Sequence, residues 1–166
     1  MVLITQNGSE TLPLGAPSPD FNLRGTDEKH YSITSFAQAK LLVVAFTCNH
    51  CPYALGVEDR FIRLAKTYQP KGVAFVAISA NDAAKYPDDS FDNMKKRAAA
   101  KAYPFPYLYD EPQTTAKAYG AVCTPHIFMF DTQRLLIYEG RIDDNWKDES
   151  AVKLHDLRDA LDAALA

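Results

Sequence analysis

The run Leu41-Leu42-Val43-Val44-Ala45-Phe46 is continuously apolar and rich in β-branched side chains, the pattern of a strand covered on both faces. Val73 to Ser79 repeats that pattern. Between the two, Phe61, Leu64, Ala65 and Tyr68 recur at helical spacing, and Pro70 with Gly72 ends the helix they predict. Upstream, Gly15 to Leu23 opens with prolines and then alternates, which predicts an extended lead-in and a short strand. Gly25 to Lys29 reads as a hairpin turn before a second short strand at His30 to Ile33, and Ser35 through Ala39 as a brief helical turn. Downstream, Tyr86 to Ser90 carries turn chemistry, with Ser90 or Asp89 capping a helix whose apolar face holds Phe91, Met94 and Ala98. Pro104 and Pro106 stop it. Glu111 to Tyr119 predicts a short helix ended by Gly120. Ile127 to Phe130 and Leu135 to Tyr138 predict an antiparallel pair around Asp131-Thr132-Gln133. The tail from Glu149 has apolar residues at Val152, Leu154, Leu157, Leu161 and Leu165, the stripe of an amphipathic helix laid on a sheet. Strand and helix thus alternate, and the pattern predicts one three-layer α/β domain over residues 1–166 with a central mixed sheet.

Composition narrows the partners. The formal charge is -3, and Lys and Arg mix with Asp and Glu along the chain, so no basic stripe is present to neutralise phosphates. Nucleic acid is not an expected partner. Nor is a membrane, because no apolar run approaches the roughly 18 residues a span requires. Met1 to Pro13 places Gln6, Asn7, Ser9 and Glu10 where a leader would be apolar. The three cysteines are an odd count, which fits a reducing compartment where thiols react or bind metal, and the expected location is cytoplasmic.

The chemistry concentrates in Cys48-Asn49-His50-Cys51, followed at once by Pro52. It falls where the Leu41–Phe46 strand ends and a helix begins. Two cysteines so spaced on a strand-to-helix turn come within disulfide reach. The turn is expected to expose one sulfur, and unpaired helix N–H groups favour its thiolate. Cys48 is the candidate nucleophile, Cys51 the resolving thiol, and His50 a candidate to stabilise the charge. Cys123 is a possible third thiol, either an alternative resolving sulfur or a small buried hydrophobe.

The order of these motifs resembles the thioredoxin superfamily, and within it the peroxiredoxin-like branch of the AhpC/TSA and redoxin families. The residues that carry the likeness are the Gly15 to Leu23 lead-in, Phe46-Thr47-Cys48-Asn49-His50-Cys51-Pro52 after a central strand, Thr124-Pro125 before a strand, and Tyr138-Glu139-Gly140-Arg141. The resemblance implies a thioredoxin-like α/β/α sandwich with an N-terminal extension hairpin and no cofactor. It further implies that Thr124-Pro125 is a cis bond lying against the cysteines, where it docks the substrate backbone. The implied substrates are protein or small-molecule disulfides or peroxides, with a thiol reductant; reducing peroxides would make the protein an antioxidant. Two departures stand out. Peroxiredoxins carry Thr or Ser three residues before the reacting cysteine, where this chain has Ala45 if Cys48 reacts. Thioredoxin has a buried Asp in the preceding strand, whereas no carboxylate lies between Leu41 and Phe46. His50, Asp82 or Asp143 is left to accept the proton.

Dithiol–disulfide exchange through a redox-active Cys48–Cys51 pair is the leading reading, with thiol peroxidase activity as its alternative. A second alternative joins Cys48, Cys51, Cys123 and His126 into a soft-metal site. An exposed edge strand near the N-terminus would allow homodimer pairing.

Overall fold

The structure, a computed structural model, describes residues 11–166. The reading of Met1 to Pro13 therefore lies mostly outside the described residues. One seven-stranded mixed sheet organises the rest. Its strands are β1 (Leu23–Gly25), β2 (His30–Tyr31), β3 (Leu41–Thr47), β4 (Val73–Ser79), β5 (Tyr107–Tyr109), β6 (His126–Phe130) and β7 (Leu136–Gly140). They lie in the order β2-β1-β5-β4-β3-β6-β7, with β3, β4 and β5 parallel and the other pairings antiparallel. The helices are α1 (Pro52–Tyr68), α2 (Phe91–Ala100), α3 (Thr114–Tyr119) and α4 (Asp156–Leu165).

Strand periodicity sorts the core into two layers. Leu41, Val43 and Ala45 of β3, with Phe75 and Ala77 of β4, meet Val57, Phe61 and Ala65 of α1, Met94 of α2 and Leu157 and Leu161 of α4. The intervening Leu42, Val44 and Phe46 meet Ala116 and Tyr119 of α3 together with Phe21 and Leu23. Both faces of β3 are therefore covered, which is why its sequence is apolar without alternation. The result is the thioredoxin-like α/β/α sandwich, and β1 with β2 forms the N-terminal hairpin. The edge strand β2 is only two residues long.

Three readings need correction. Tyr107–Tyr109 is a strand, although Pro104 and Pro106 just before it read only as a stop. The last helix begins at Asp156 rather than Glu149: Leu154 is exposed and does not belong to its buried stripe. The short helix after β5 begins at Thr114 rather than Glu111; Gly120, at φ 65°, ends it in the left-handed conformation that glycine adopts without penalty.

Candidate active site

The end of β3 delivers the cysteine motif. After Thr47 the chain turns through Cys48 to Cys51, and α1 starts at Pro52, a first helical position that suits proline because no N–H is needed there. The turn folds back on itself: the Cys51 N–H donates to Cys48 Sγ at 3.3 Å. The facing wall follows from sheet register. Phe46 on β3 pairs with His126 on β6, so the residues just before β6 lie beside those just after β3. Those residues include Thr124-Pro125, whose peptide bond is cis, as the resemblance implied. Thr124 Oγ1 lies 3.8 Å from Cys48 Sγ, and Cys51 Sγ sits 3.5 Å from the Thr124 carbonyl.

A third wall was not foreseen. Asp89, fully buried, comes from the segment between β4 and α2 and places its carboxylate under the motif. Its Oδ1 accepts the backbone N–H of Asn49 at 2.7 Å, and its Oδ2 accepts Asn81 Nδ2 at 2.8 Å. His50 Nδ1 lies 2.6 Å from Asp89 Oδ2, within ion-pair reach but off the line a hydrogen bond requires. The His50 ring stacks on Tyr86 at 5.1 Å between centroids. Asn49 is fixed further by donating Nδ2 to the Asp88 carbonyl and by accepting from the buried Tyr107 hydroxyl at 2.8 Å. The sequence does hold a signal for this arrangement. Ser90 caps α2 by accepting the Asn93 N–H, which leaves the neighbouring carboxylate unneeded at the cap and able to turn inward.

The exposed, acidified Cys48 expected from the turn is not what the structure holds. Cys48 is 2% exposed and Cys51 fully buried, and both are free thiols. Their mutual hydrogen bond dominates their titration, driving Cys51 down from the ordinary thiol value and Cys48 well above it. Burial opposes charge on both sulfurs, and the Asp89 carboxylate opposes it further on Cys48. Over the neutral range the pair therefore holds one proton. Two contacts favour the reverse placement: the Cys51 N–H points at Cys48 Sγ, and Cys51 Sγ faces a carbonyl oxygen that only an S–H can satisfy. Asp89 adds to the effects that keep charge off Cys48.

The other candidates scatter. Cys123 Sγ turns to the Pro125 carbonyl at 3.7 Å, and burial pushes its thiol up. His126 is buried and engaged at both ring nitrogens, Nδ1 with the Val122 N–H at 3.2 Å and Nε2 with Glu139. Cys48, Cys51, Cys123 and His126 consequently do not converge on one metal position; among the described residues the compact ligand cluster is Cys48, His50 and Asp89. Asp82 is exposed and accepts the Ala84 N–H in a turn. Asp143 is buried, but against Arg60, whose Nη1 reaches its two oxygens at 2.9 and 2.6 Å and the Asn145 carbonyl at 2.7 Å. Neither is a proton acceptor for the cysteines. Trp146, held by this clamp, packs edge-on against Tyr53 of α1 at 4.6 Å.

Comparison with known proteins is consistent with this geometry. The Redoxin family profile matches residues 13–157. A solved structure of an uncharacterized conserved protein from Geobacillus kaustophilus is 44% identical, with TM-score 0.87 over 92% of this chain and 82% of that one. A hypothetical protein from Sinorhizobium meliloti 1021 is 36% identical, with TM-score 0.89 over 94% and 86% of the two chains. Peroxidoxin BcpB from Mycobacterium tuberculosis, at 18% identity, shares the fold with TM-score 0.69 over 92% and 95%. No curated protein sequence matches the chain.

Proposed function

Because the chain belongs to the Redoxin family, a family of thiol oxidoreductases and peroxidases, we propose that it exchanges disulfides through Cys48 and Cys51. The observation that carries this reading is the pair itself: two free cysteines in one turn, one sulfur receiving the other's backbone N–H and the second facing the Thr124 carbonyl. Both cysteines are buried; Cys48, which opens the turn and whose Sγ receives the Cys51 N–H, is assigned as the attacking sulfur. The proton that Cys48 holds at rest passes to Cys51, and the Cys48 thiolate then attacks one sulfur of a substrate disulfide. That S–S bond breaks, a Cys48 mixed disulfide forms, and the departing thiolate takes up a proton. Cys51 then loses its proton and attacks Cys48 Sγ, expelling the second substrate thiolate and leaving a Cys48–Cys51 disulfide. Two electrons have passed to the substrate, and an external thiol reductant reverses the sequence. His50 and Asp89 stand within proton-relay reach of Cys48. The cover over Cys48 has to draw aside for a bulky substrate to enter.

That enclosure favours a second reading, reduction of a small hydroperoxide at Cys48, for which Thr124 supplies the hydroxyl that Ala45 does not. Here Cys48 becomes a sulfenic acid as the peroxide O–O bond breaks and an alcohol leaves, and Cys51 condenses with it to release water. Parallel assays of disulfide reduction and of hydroperoxide consumption, each with an external dithiol, separate the two. Disulfide turnover abolished by Cys48→Ser supports exchange, and peroxide turnover alone supports the second reading. Full retention of either activity in Cys48→Ser would overturn both.

A further inference from the structure

Asp89 is a buried carboxylate whose ion-pair partner, among the described residues, is a histidine rather than a lysine or arginine. Buried charges are held by a counter-charge or by a metal, since an isolated carboxylate is costly away from water. Around it, Cys48 Sγ, a ring nitrogen of His50 and a carboxylate oxygen of Asp89 all lie within 4.8 Å of one another. We propose that the reduced protein binds one zinc-type divalent cation through these three atoms, with a fourth position left open.

The donor set fits such an ion. One thiolate, one imidazole and one carboxylate are the ligand types of zinc sites, while magnesium and calcium prefer oxygen throughout. Bond lengths of about 2.0 to 2.3 Å around a tetrahedral centre put neighbouring ligand atoms roughly 3 to 4 Å apart, so the cluster closes on an ion with small shifts, chiefly a widening of the His50–Asp89 contact. Charge also balances: the thiolate and the carboxylate together offset the two positive charges of the ion. His50 Nδ1 is enclosed and faces the Asp89 carboxylate without an aligned hydrogen bond, so an incoming cation displaces a proton rather than a well-formed bond. The supporting shell is already built. The Asn49 N–H and Asn81 Nδ2 hold Asp89, the Tyr107 hydroxyl holds Asn49, and Tyr86 backs the imidazole ring.

Cys51 lies outside this cluster, and that has a redox consequence. When a small-molecule disulfide oxidises Cys48 and Cys51, two electrons and two protons pass to it, and Cys48 loses the thiolate that binds the ion. Metal occupancy then reports the reduced state and blocks Cys48 as a nucleophile while it lasts.

The test uses full-length protein, reduced and then freed of reductant, titrated with Zn2+ against a chromogenic chelator. Cd2+ is titrated in parallel for its thiolate-to-metal ultraviolet band. Neither readout depends on enzymatic activity, so failure here is separable from failure of the exchange reading. One ion per chain is expected, with binding retained in Cys51→Ser and Cys123→Ser and lost on oxidation. His50→Gln and Asp89→Asn should each weaken binding by at least about tenfold, the smaller loss that removal of even a supporting group brings. Circular dichroism checks folding, and His50→Gln decides alone if Asp89→Asn unfolds. No uptake, or uptake unchanged in His50→Gln because Cys48 and Cys51 chelate as a plain dithiol, would overturn the proposal.

Discussion

Replacing Asp89 by Asn isolates the effect of one buried charge on the choice between two sulfurs. The carboxylate lies within 4.8 Å of Cys48 Sγ and raises its pKa. At an effective dielectric constant of about 20, unit charges roughly 5 Å apart interact by about 3 kcal/mol. Removing the negative charge therefore favours the Cys48 thiolate by up to roughly a hundredfold, and by about tenfold where a protonated His50 offsets the carboxylate. The assay is alkylation of the reduced protein across pH, with modification at Cys48 and Cys51 quantified from peptide masses. Asp89→Asn should raise the ratio of Cys48 to Cys51 modification at every pH in the neutral range. The substitution keeps an acceptor for the Asn49 N–H but gives up charge-assisted bonds, at a cost of about 1–3 kcal/mol, so a urea titration accompanies it. An unchanged ratio in a folded variant, or slower Cys48 modification, would refute the assignment of Asp89 as a group that holds charge off Cys48.

Three further outcomes follow from the geometry. Folding stability of the reduced protein should rise with pH up to the ordinary thiol range, where the unfolded chain holds two protons on the pair and the folded chain one, and fall above it, where the unfolded chain holds none and Cys48 still keeps its proton. Urea midpoints against pH should show that maximum; the Cys48→Ser, Cys51→Ser double variant should lose the rise across the neutral range while keeping a fall at high pH, because burial also raises Cys123 and several tyrosines. Arg60→Met leaves Asp143 buried without its cation and should cost about 3–5 kcal/mol in urea titration, whereas a loss below about 1 kcal/mol would place the pair among weak surface bridges. Gly56→Ala drives a methyl group into the Trp146 carbonyl oxygen, so the loop should be displaced and stability reduced by about 1–3 kcal/mol despite the gain in helix propensity. Trp146 is the single tryptophan, and a red-shifted emission should report the displacement; an unshifted spectrum with raised stability would contradict it.

Local pattern made much of this molecule legible. The unbroken apolar runs of β3 and β4 announce strands covered on both faces, and Pro52 and Gly120 mark a helix start and a helix end by the backbone each imposes. Thr124-Pro125 was readable as the wall facing Cys48 through resemblance, and the pairing of Phe46 with His126 supplies the physical reason. What pattern did not show is the polar floor of the site. Asn49, Asn81, Asp89 and Tyr107 meet across four separate stretches of chain, and no period or spacing connects them. The enclosure of Cys48 was equally hidden, because the turn alone predicts an open sulfur, and the shielding comes from tertiary packing. Asp143 shows the converse error: an acidic residue that looked chemically available is committed to Arg60 and anchors a loop.

The most direct test of the account is to trap the exchange reaction. Reduced protein is mixed with a small disulfide, quenched in acid, and its sulfurs mapped by peptide mass. Wild-type protein should yield a Cys48–Cys51 disulfide, and Cys51→Ser should stop at a mixed disulfide on Cys48. A mixed disulfide on Cys123, or a Cys48 left unmodified in both proteins, would contradict it.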